Sequence, residues 1–216
     1  MTISKESQPT ELLPEELREV FGDIDVYLFD QLLKGRFTRG MRILDAGCGA
    51  GRNLIYLLRC QYDVFGIDES AAAIEELRYH AACLAPGLPA ENFRVGDVRS
   101  LPFADGSFDV VISNAVLHFA ANDRDFRRML TELWRVLKAS GILFARLASS
   151  IGIENRIRKL GGRRFLLPDG SERYLVDQES LLSFGDELQA TLIEPIKTVN
   201  VQNQRCMTTW CLRKSQ

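Results

Sequence analysis

Histidine is scarce in this chain of 216 residues, which holds only His80 and His118. None of its five cysteines (Cys48, Cys60, Cys83, Cys206, Cys211) forms a CxxC pair, and His80 with Cys83 stands without a further cysteine or histidine close by. Zinc sites need such clusters, so no metal site is expected. Charge of either sign is not in excess: 27 basic against 29 acidic residues leave a net charge of -2. A phosphate-backbone partner normally requires a basic surface, so no nucleic-acid partner is expected. Long apolar runs are missing too, and a bilayer-crossing helix needs roughly 20 such residues. The polar start MTISKESQPTE does not read as a signal peptide. No membrane partner and a cytoplasmic location are the expectations. The odd cysteine count in such a setting predicts free thiols packed in the core. Cys206 and Cys211 lie five apart in a strand-like run, on opposite faces. There is no internal repeat and no low-complexity segment.

Hydrophobic residues make up 46% of the chain, enough for one domain with a substantial core. Pro14 opens a helix-forming run that stops at Gly22, and Asp23 offers a new N-cap for a helix over about 24–34. These two helices carry apolar faces expected to cap one edge of the sheet that follows. From Met41 the pattern alternates: strands at 41–45, 63–67, 92–96, 108–113 and 142–147, with helices at about 51–60, 70–84 and from the cap Asn122 to Ser140–Gly141. The run DVVIS is continuously apolar, as in a strand buried on both faces. Phe126, Met129, Leu130, Leu133, Trp134 and Leu137 fall at helical spacing and read as core. Such alternation implies a parallel sheet with right-handed crossovers. Later, residues 163–176 read as a hairpin around Pro168-Asp169-Gly170, and Asp177 caps a helix to about Leu188. The runs 191–199 and 206–212 are too close together for a parallel crossover, so they form an antiparallel pair.

The functional signal is LDAGCGAGRN at 44–53, followed by Asp68 in YDVFGIDES. A strand runs into an acid and three glycines, Gly47, Gly49 and Gly51, and then a helix. Ligands of doubly wound sheets sit beyond the carboxyl ends of the strands. Four successive strands here end in polar residues: Asp45, Asp68, Asp97 and Asn114. A dinucleotide fingerprint GxGxxG would need glycine at Arg52, and the acids Asp45, Asp68, Glu69 and Asp97 would repel a pyrophosphate. They suit S-adenosylmethionine, whose sulfonium, ammonium, ribose diol and adenine amine each want an oxygen acceptor. Its carboxylate can meet free N–H groups where the helix opens.

The ordered set of motifs resembles the class I S-adenosylmethionine-dependent methyltransferases of the type 11 family. LDAGCGAG is similar to that family's first motif, GIDES to its second, GDVRSLPFADGSFDVVISNAVLHF to its third and fourth, and ELWRVLKASGILF to the run into strand five. GRNLIYLLRCQYDVFGID also resembles the tellurite- and thiopurine-type branch, more weakly. The resemblance spans 41–147. It implies an α/β, Rossmann-like, doubly wound, mostly parallel seven-stranded sheet with a C-terminal antiparallel strand pair. It further implies one domain over 1–216: a helical cap at 1–38, a cofactor-binding core at 41–148, a substrate-side insertion at 151–190 and a strand pair at 191–213. By the same resemblance Asp45 with Ala46, Gly47, Cys48, Gly49 and Gly51 would hold the methionine portion. Asp68 would bind the ribose hydroxyls, with Glu69 either beside them or serving as helix-start charge. Asp97 and the Val98 N–H would take the adenine, and Asn114 the sulfonium end. Tyr27 is a lid candidate or plain packing.

The implied activity is methyl transfer from S-adenosylmethionine to a small-molecule acceptor. His118, just past strand four, is the candidate catalytic residue: a base, a cofactor-side contact or a packing residue. The motif Asn/Asp-Pro-Pro-aromatic of amino-methyltransferases is replaced by Ser113-Asn114-Ala115-Val116, which disfavours planar-amine acceptors. Arg156, Arg158, Lys159, Arg163 and Arg164 form either a solvated face or a receiver for an anionic substrate. Two other functions stay open, a cofactor-binding regulator without transfer and a nicotinamide-dependent reductase. The latter lacks a Tyr-xxx-Lys pair, since no tyrosine here has lysine four residues on.

Overall fold

The computed structural model describes residues 13–216; the start at 1–12, including the whole run read above as no signal peptide, lies outside them. The helices α1 (Pro14–Phe21) and α2 (Val26–Leu33) come first. Gly22 ends α1 with φ of 64°, as expected of a glycine stop. The cap of α2 is Asp25 rather than Asp23: its carboxylate accepts from the Tyr27 N–H at 2.9 Å.

Next come β1 (Arg42–Ala46), α3 (Ile55–Arg59), β2 (Asp63–Asp68), α4 (Ala71–Leu84), β3 (Phe93–Val95), β4 (Phe108–Asn114), α5 (Asp123–Val136) and β5 (Leu137–Ser149). Ser70 caps α4 and Asn122 caps α5, each accepting an N–H three residues on. Helix α3 starts four residues later than expected, because Gly51 sits at φ of +84° and Leu54 closes a tight turn back onto its carbonyl. Helix α5 presents Phe126, Met129, Leu130 and Leu133 to the core, each fully or nearly buried. Fully burying such a side chain is worth about 1.5–3 kcal/mol.

Strand order is β3-β2-β1-β4-β5 for the parallel part, continuing through β11 (Arg205–Lys214) to β10 (Lys197–Val201). β11 runs antiparallel to β5 and to β10, and the short β9 (Ala190–Leu192) also pairs with β11. The run 191–199 therefore splits in two. Pro195 lies between the pieces and cannot donate to a ladder. With β9 added to the path of seven, the sheet has eight strands. Helices cover both faces: Leu44 and Ala46 of β1 join the core that holds α5, whereas Ile43 joins the core of α2, α3 and α4. β4 is buried along almost its whole length, as DVVIS required.

The hairpin at 163–176 is present as β7 (Arg164–Leu166) and β8 (Glu172–Tyr174), and β6 (Arg158–Gly161) adds a third strand. Asp177 caps α6 (Gln178–Glu187) in a capping box with Ser180. All five cysteines are free thiols; Cys48, Cys206 and Cys211 are buried, but Cys83 is exposed, against the expectation of core packing throughout. Among the described residues no helix is long and apolar enough to cross a membrane, and no His/Cys/Asp/Glu group could hold a metal ion.

Candidate functional site

Strand order reverses between β1 and β4, and there two cavities meet at the carboxyl edge of the sheet, both lined by Ala115. Ala115 follows β4 directly and holds φ of +64°, a conformation costing a non-glycine residue about 1–2 kcal/mol. Strain of this kind gathers where a loop is shaped for a ligand.

The first cavity, about 390 Å³, is lined by Gly47, Asp68, Glu69, Asp97 and Val98 from the expected set, and also by Arg99, Val116, Phe119, Asp125 and Met129. The loop after β1 shapes it. Gly47 has φ of +83°, and a Cβ there would stand 2.3 Å from Val116 Cγ2. Gly49, at φ of +54°, faces open space with no atom within 4 Å of the same position. Its N–H donates to Asp68 Oδ2 at 2.8 Å, while the Ser70 N–H donates to Oδ1 at 2.9 Å. Asp68 is thus aimed by backbone donors from two elements. Each of its oxygens keeps a lone pair for a hydroxyl.

Asp97 is held differently. Arg99 Nε donates to both its oxygens at 2.8 Å, and another guanidinium nitrogen reaches Glu69 at 2.6 Å. Burial alone would push the Asp97 carboxyl up, but the Arg99 side chain and backbone bonds hold it below the ordinary carboxylate range. The acids of this edge are therefore partly neutralised from within the chain. Arg99 was not anticipated from sequence. The signal available was a cation two residues beyond a strand-end acid.

Behind the cavity the polar residues are sealed. Asp45 is 1% exposed, and neither of its oxygens has a hydrogen-bond partner among the described residues. Burial pushes its carboxyl from 3.8 to about 7; the Arg52 charge and the nearby Asn53 side chain oppose this, and the Asp68 charge adds to it. Both amide atoms of Asn114 are likewise buried without partners. Buried polar atoms without partners are rare and call for a physical explanation. A cationic donor group at Asp45 and a polar centre at Asn114 would satisfy them, and S-adenosylmethionine carries both. The residues present fit that group.

The rest of the expected set falls around this core. Ala46 is fully buried and Cys48 nearly so, its thiol pushed up by burial and by the nearby Asp45 and Asp68 charges. Gly51 donates to the Cys48 carbonyl at 3.0 Å. Tyr27 is half-buried under the Arg146 guanidinium, 5.2 Å from its ring centroid. The helix it stands on is fastened at the edge by Asp25, which pairs with Arg146 at 3.1 Å and takes Asn53 Oδ1 on its N–H at 3.0 Å.

The second cavity, about 230 Å³, is lined by His118, Arg146, Asp169, Ser171, Arg173 and Arg205 together with apolar residues. His118 is 5% exposed, and its Nδ1 accepts from the Ala148 N–H at 3.1 Å. The ring proton of the neutral imidazole therefore sits on Nε2. Burial, and then the charges of Arg173 and Arg205, lower its pKa from 6.5 to about 4. The arginines expected to gather in the insertion do not converge here. Arg163 pairs with Asp177 at 3.0 Å and Arg164 with Glu172 at 3.1 Å, while Arg156, Arg158 and Lys159 are exposed.

Residues 44–145 match the type 11 family described as "Methyltransferase domain". An arsenite methyltransferase of Aquipseudomonas alcaligenes is 38% identical over 115 residues, covering 49% of this chain and 32% of that protein. An uncharacterized methyltransferase of Bacillus subtilis, YodH, is 35% identical over 117 residues, covering 54% of this chain and 44% of that protein. The chain thus spans less than half the length of these relatives. A crystal structure from Methanosarcina mazei, described as an SAM-dependent methyltransferase, superposes with a TM-score of 0.70 at 21% identity over 85% of this chain and 97% of that one. Residues 44–145, just under half of the chain, are thus similar to the type 11 methyltransferase domains, and the fold resembles that of the Methanosarcina mazei structure.

Proposed function

We propose that this chain, as one domain, transfers a methyl group from S-adenosylmethionine to a small-molecule acceptor seated in the cavity beside His118. The single observation that carries the reading is the acid-lined cavity at the strand reversal, with the buried Asp45 carboxylate close to Asp68 and a second cavity sharing the Ala115 wall. When bound, the cofactor supplies a methyl group already activated on a sulfonium.

The protein's share is binding and orientation. Asp68, aimed by Gly49 and Ser70, accepts from the ribose hydroxyls. Asp97 and the Val98 N–H take the adenine edge, with Arg99 fixing the Asp97 rotamer and Glu69 acting through Arg99. Asp45 meets the ammonium, the Gly47–Cys48–Gly49 backbone the rest of the methionine portion, and Asn114 the sulfonium end. Tyr27 and the N-terminal helices wall the edge. Holding two reactants in line can account for about 7–11 kcal/mol of a barrier. In this reading His118 is a neutral N–H donor that orients the acceptor, not a base. A nitrogen already protonated at neutral pH, on a ring with pKa about 4, cannot take a proton there.

Calorimetry of the full chain with S-adenosylhomocysteine and, separately, with NADH tests the cofactor. Binding of the first, lost in Asp68→Ala, is expected; uptake of NADH alone would overturn the reading. Incubation with isotope-labelled cofactor and a panel of metabolites tests transfer. Label reaching no acceptor despite tight cofactor binding would favour a regulator that transfers nothing.

A further inference from the structure

Among the described residues, three guanidiniums line the second cavity and one carboxylate does, Asp169. That carboxylate is already engaged: it takes the Ser171 N–H at 2.9 Å and the Ser171 hydroxyl at 2.6 Å, with Arg205 3.9 Å away. Arg173 has no carboxylate within ion-pair distance among the described residues. Its side chain donates to the Glu172 carbonyl at 2.8 Å, and the guanidinium lies 4.8 Å from the Phe119 ring centroid. Arg146 spends one nitrogen on Asp25, while its buried Nε has no hydrogen-bond partner among the described residues. The guanidiniums come from β5 and β11, neighbours in the main sheet, and from β8 of the three-stranded sheet. A cluster of like charges costs energy in the free protein unless something compensates it.

We propose that this cavity is the acceptor site and that the acceptor carries a carboxylate or phosphate group, received by Arg173 and Arg205 with Arg146 behind them. The proposal rests on the methyltransferase reading only for the word acceptor; the anion site stands on the arginines. Planar guanidiniums match the paired oxygens of both anions. The neutral His118 adds a donor and no competing acceptor, because its Nδ1 is taken by the Ala148 N–H. A cavity of about 230 Å³ has room for a small carboxylate or phosphate group. Phe119, packed beneath Arg173, also lines the first cavity, so the anion would lie beside the cofactor pocket rather than remote from it.

The test is calorimetric titration of the full chain, with and without saturating S-adenosylhomocysteine, using succinate, inorganic phosphate and the uncharged 1,4-butanediol as probes. Wild type should bind at least one of the two anions and not the diol; whichever binds more tightly identifies the group. Arg173→Gln and Arg205→Gln should each weaken that binding at least tenfold and leave S-adenosylhomocysteine affinity within twofold. Replacing the exposed pair Arg158 and Lys159 by glutamine should change neither. Equal binding of diol and anions, or anion affinity untouched in both arginine variants, overturns the proposal while leaving the cofactor reading intact. Arginine-dependent anion binding by a chain that takes no S-adenosylhomocysteine keeps the anion site and overturns its role as an acceptor site.

Discussion

Lowering the pH from 8 to 6 should weaken S-adenosylhomocysteine binding about tenfold, and one residue accounts for the effect. Asp45 is almost without solvent, and burial outweighs the Arg52 charge and the nearby Asn53 side chain, so its pKa rises to about 7 in the free protein. An ammonium beside it requires the charged carboxylate. Roughly nine-tenths of the sites are ready at pH 8 and one-tenth at pH 6, a difference of about 1.4 kcal/mol. Near pH 7 each binding event should release about half a proton, measurable by calorimetry in buffers of different ionisation enthalpy. The same shift bears on folding. A carboxyl whose folded pKa is raised holds a proton that the unfolded chain has lost, so its contribution favours folding at low pH and is lost as pH rises from 3.8 to about 7. Asp45→Asn keeps the shape and removes the charge. It should flatten the binding profile, weaken binding at pH 8, and raise the melting temperature of the free protein above pH 7. A wild-type profile flat between pH 6 and 8, or one that Asp45→Asn leaves unchanged, would refute the reasoning.

The two glycines of the loop should separate folding from binding. Gly47→Ala drives a Cβ to 2.3 Å from Val116 at φ of +83° and should lower stability by at least ~2 kcal/mol in urea melts. Gly49→Ala meets no atom of the protein; it should cost only about 1 kcal/mol for its φ of +54°, yet weaken S-adenosylhomocysteine more than tenfold. Glu194, with a side chain only 6% exposed, fastens α2 to the C-terminal strands through Lys34 at 2.7 Å, Lys197 at 3.2 Å and Arg36 at 3.3 Å. Burial alone would raise its pKa, but hydrogen bonds from Lys34, Cys211 and Lys197 bring it from 4.5 down to about 2. A depressed carboxyl stabilises the fold above 4.5 and loses that contribution as pH falls toward 2. Glu194→Gln should therefore cost about 2–3 kcal/mol at pH 7, with the gap to wild type closing in acid melts.

Local chemistry determined most of the scaffold. Ser70, Asn122 and Asp177 cap their helices because a short polar side chain before an apolar period offers the backbone an acceptor. The doubly covered β4 follows from DVVIS, and the strand-end acids follow from strands that all run toward one edge. Asp25 rather than Asp23 became a cap because Arg146, from a distant strand, binds its other oxygen. What no local pattern carried was which charges meet. Nothing in the sequence reading singled out Arg99, which the fold brings within 2.6 Å of Glu69, thirty residues earlier. The insertion's crowd of basic residues read as a solvated face or an anion receiver; Arg156, Arg158 and Lys159 are exposed, and Arg163 and Arg164 turned to their own carboxylates. Arg146, Arg173 and Arg205, spread over three strands, came to line the cavity instead. Periodicity and capping act over a few residues and can be read along the chain. The electrostatics of a site depend on distances set only when the sheet has closed its order, and so tertiary structure alone decided where the positive charge would gather.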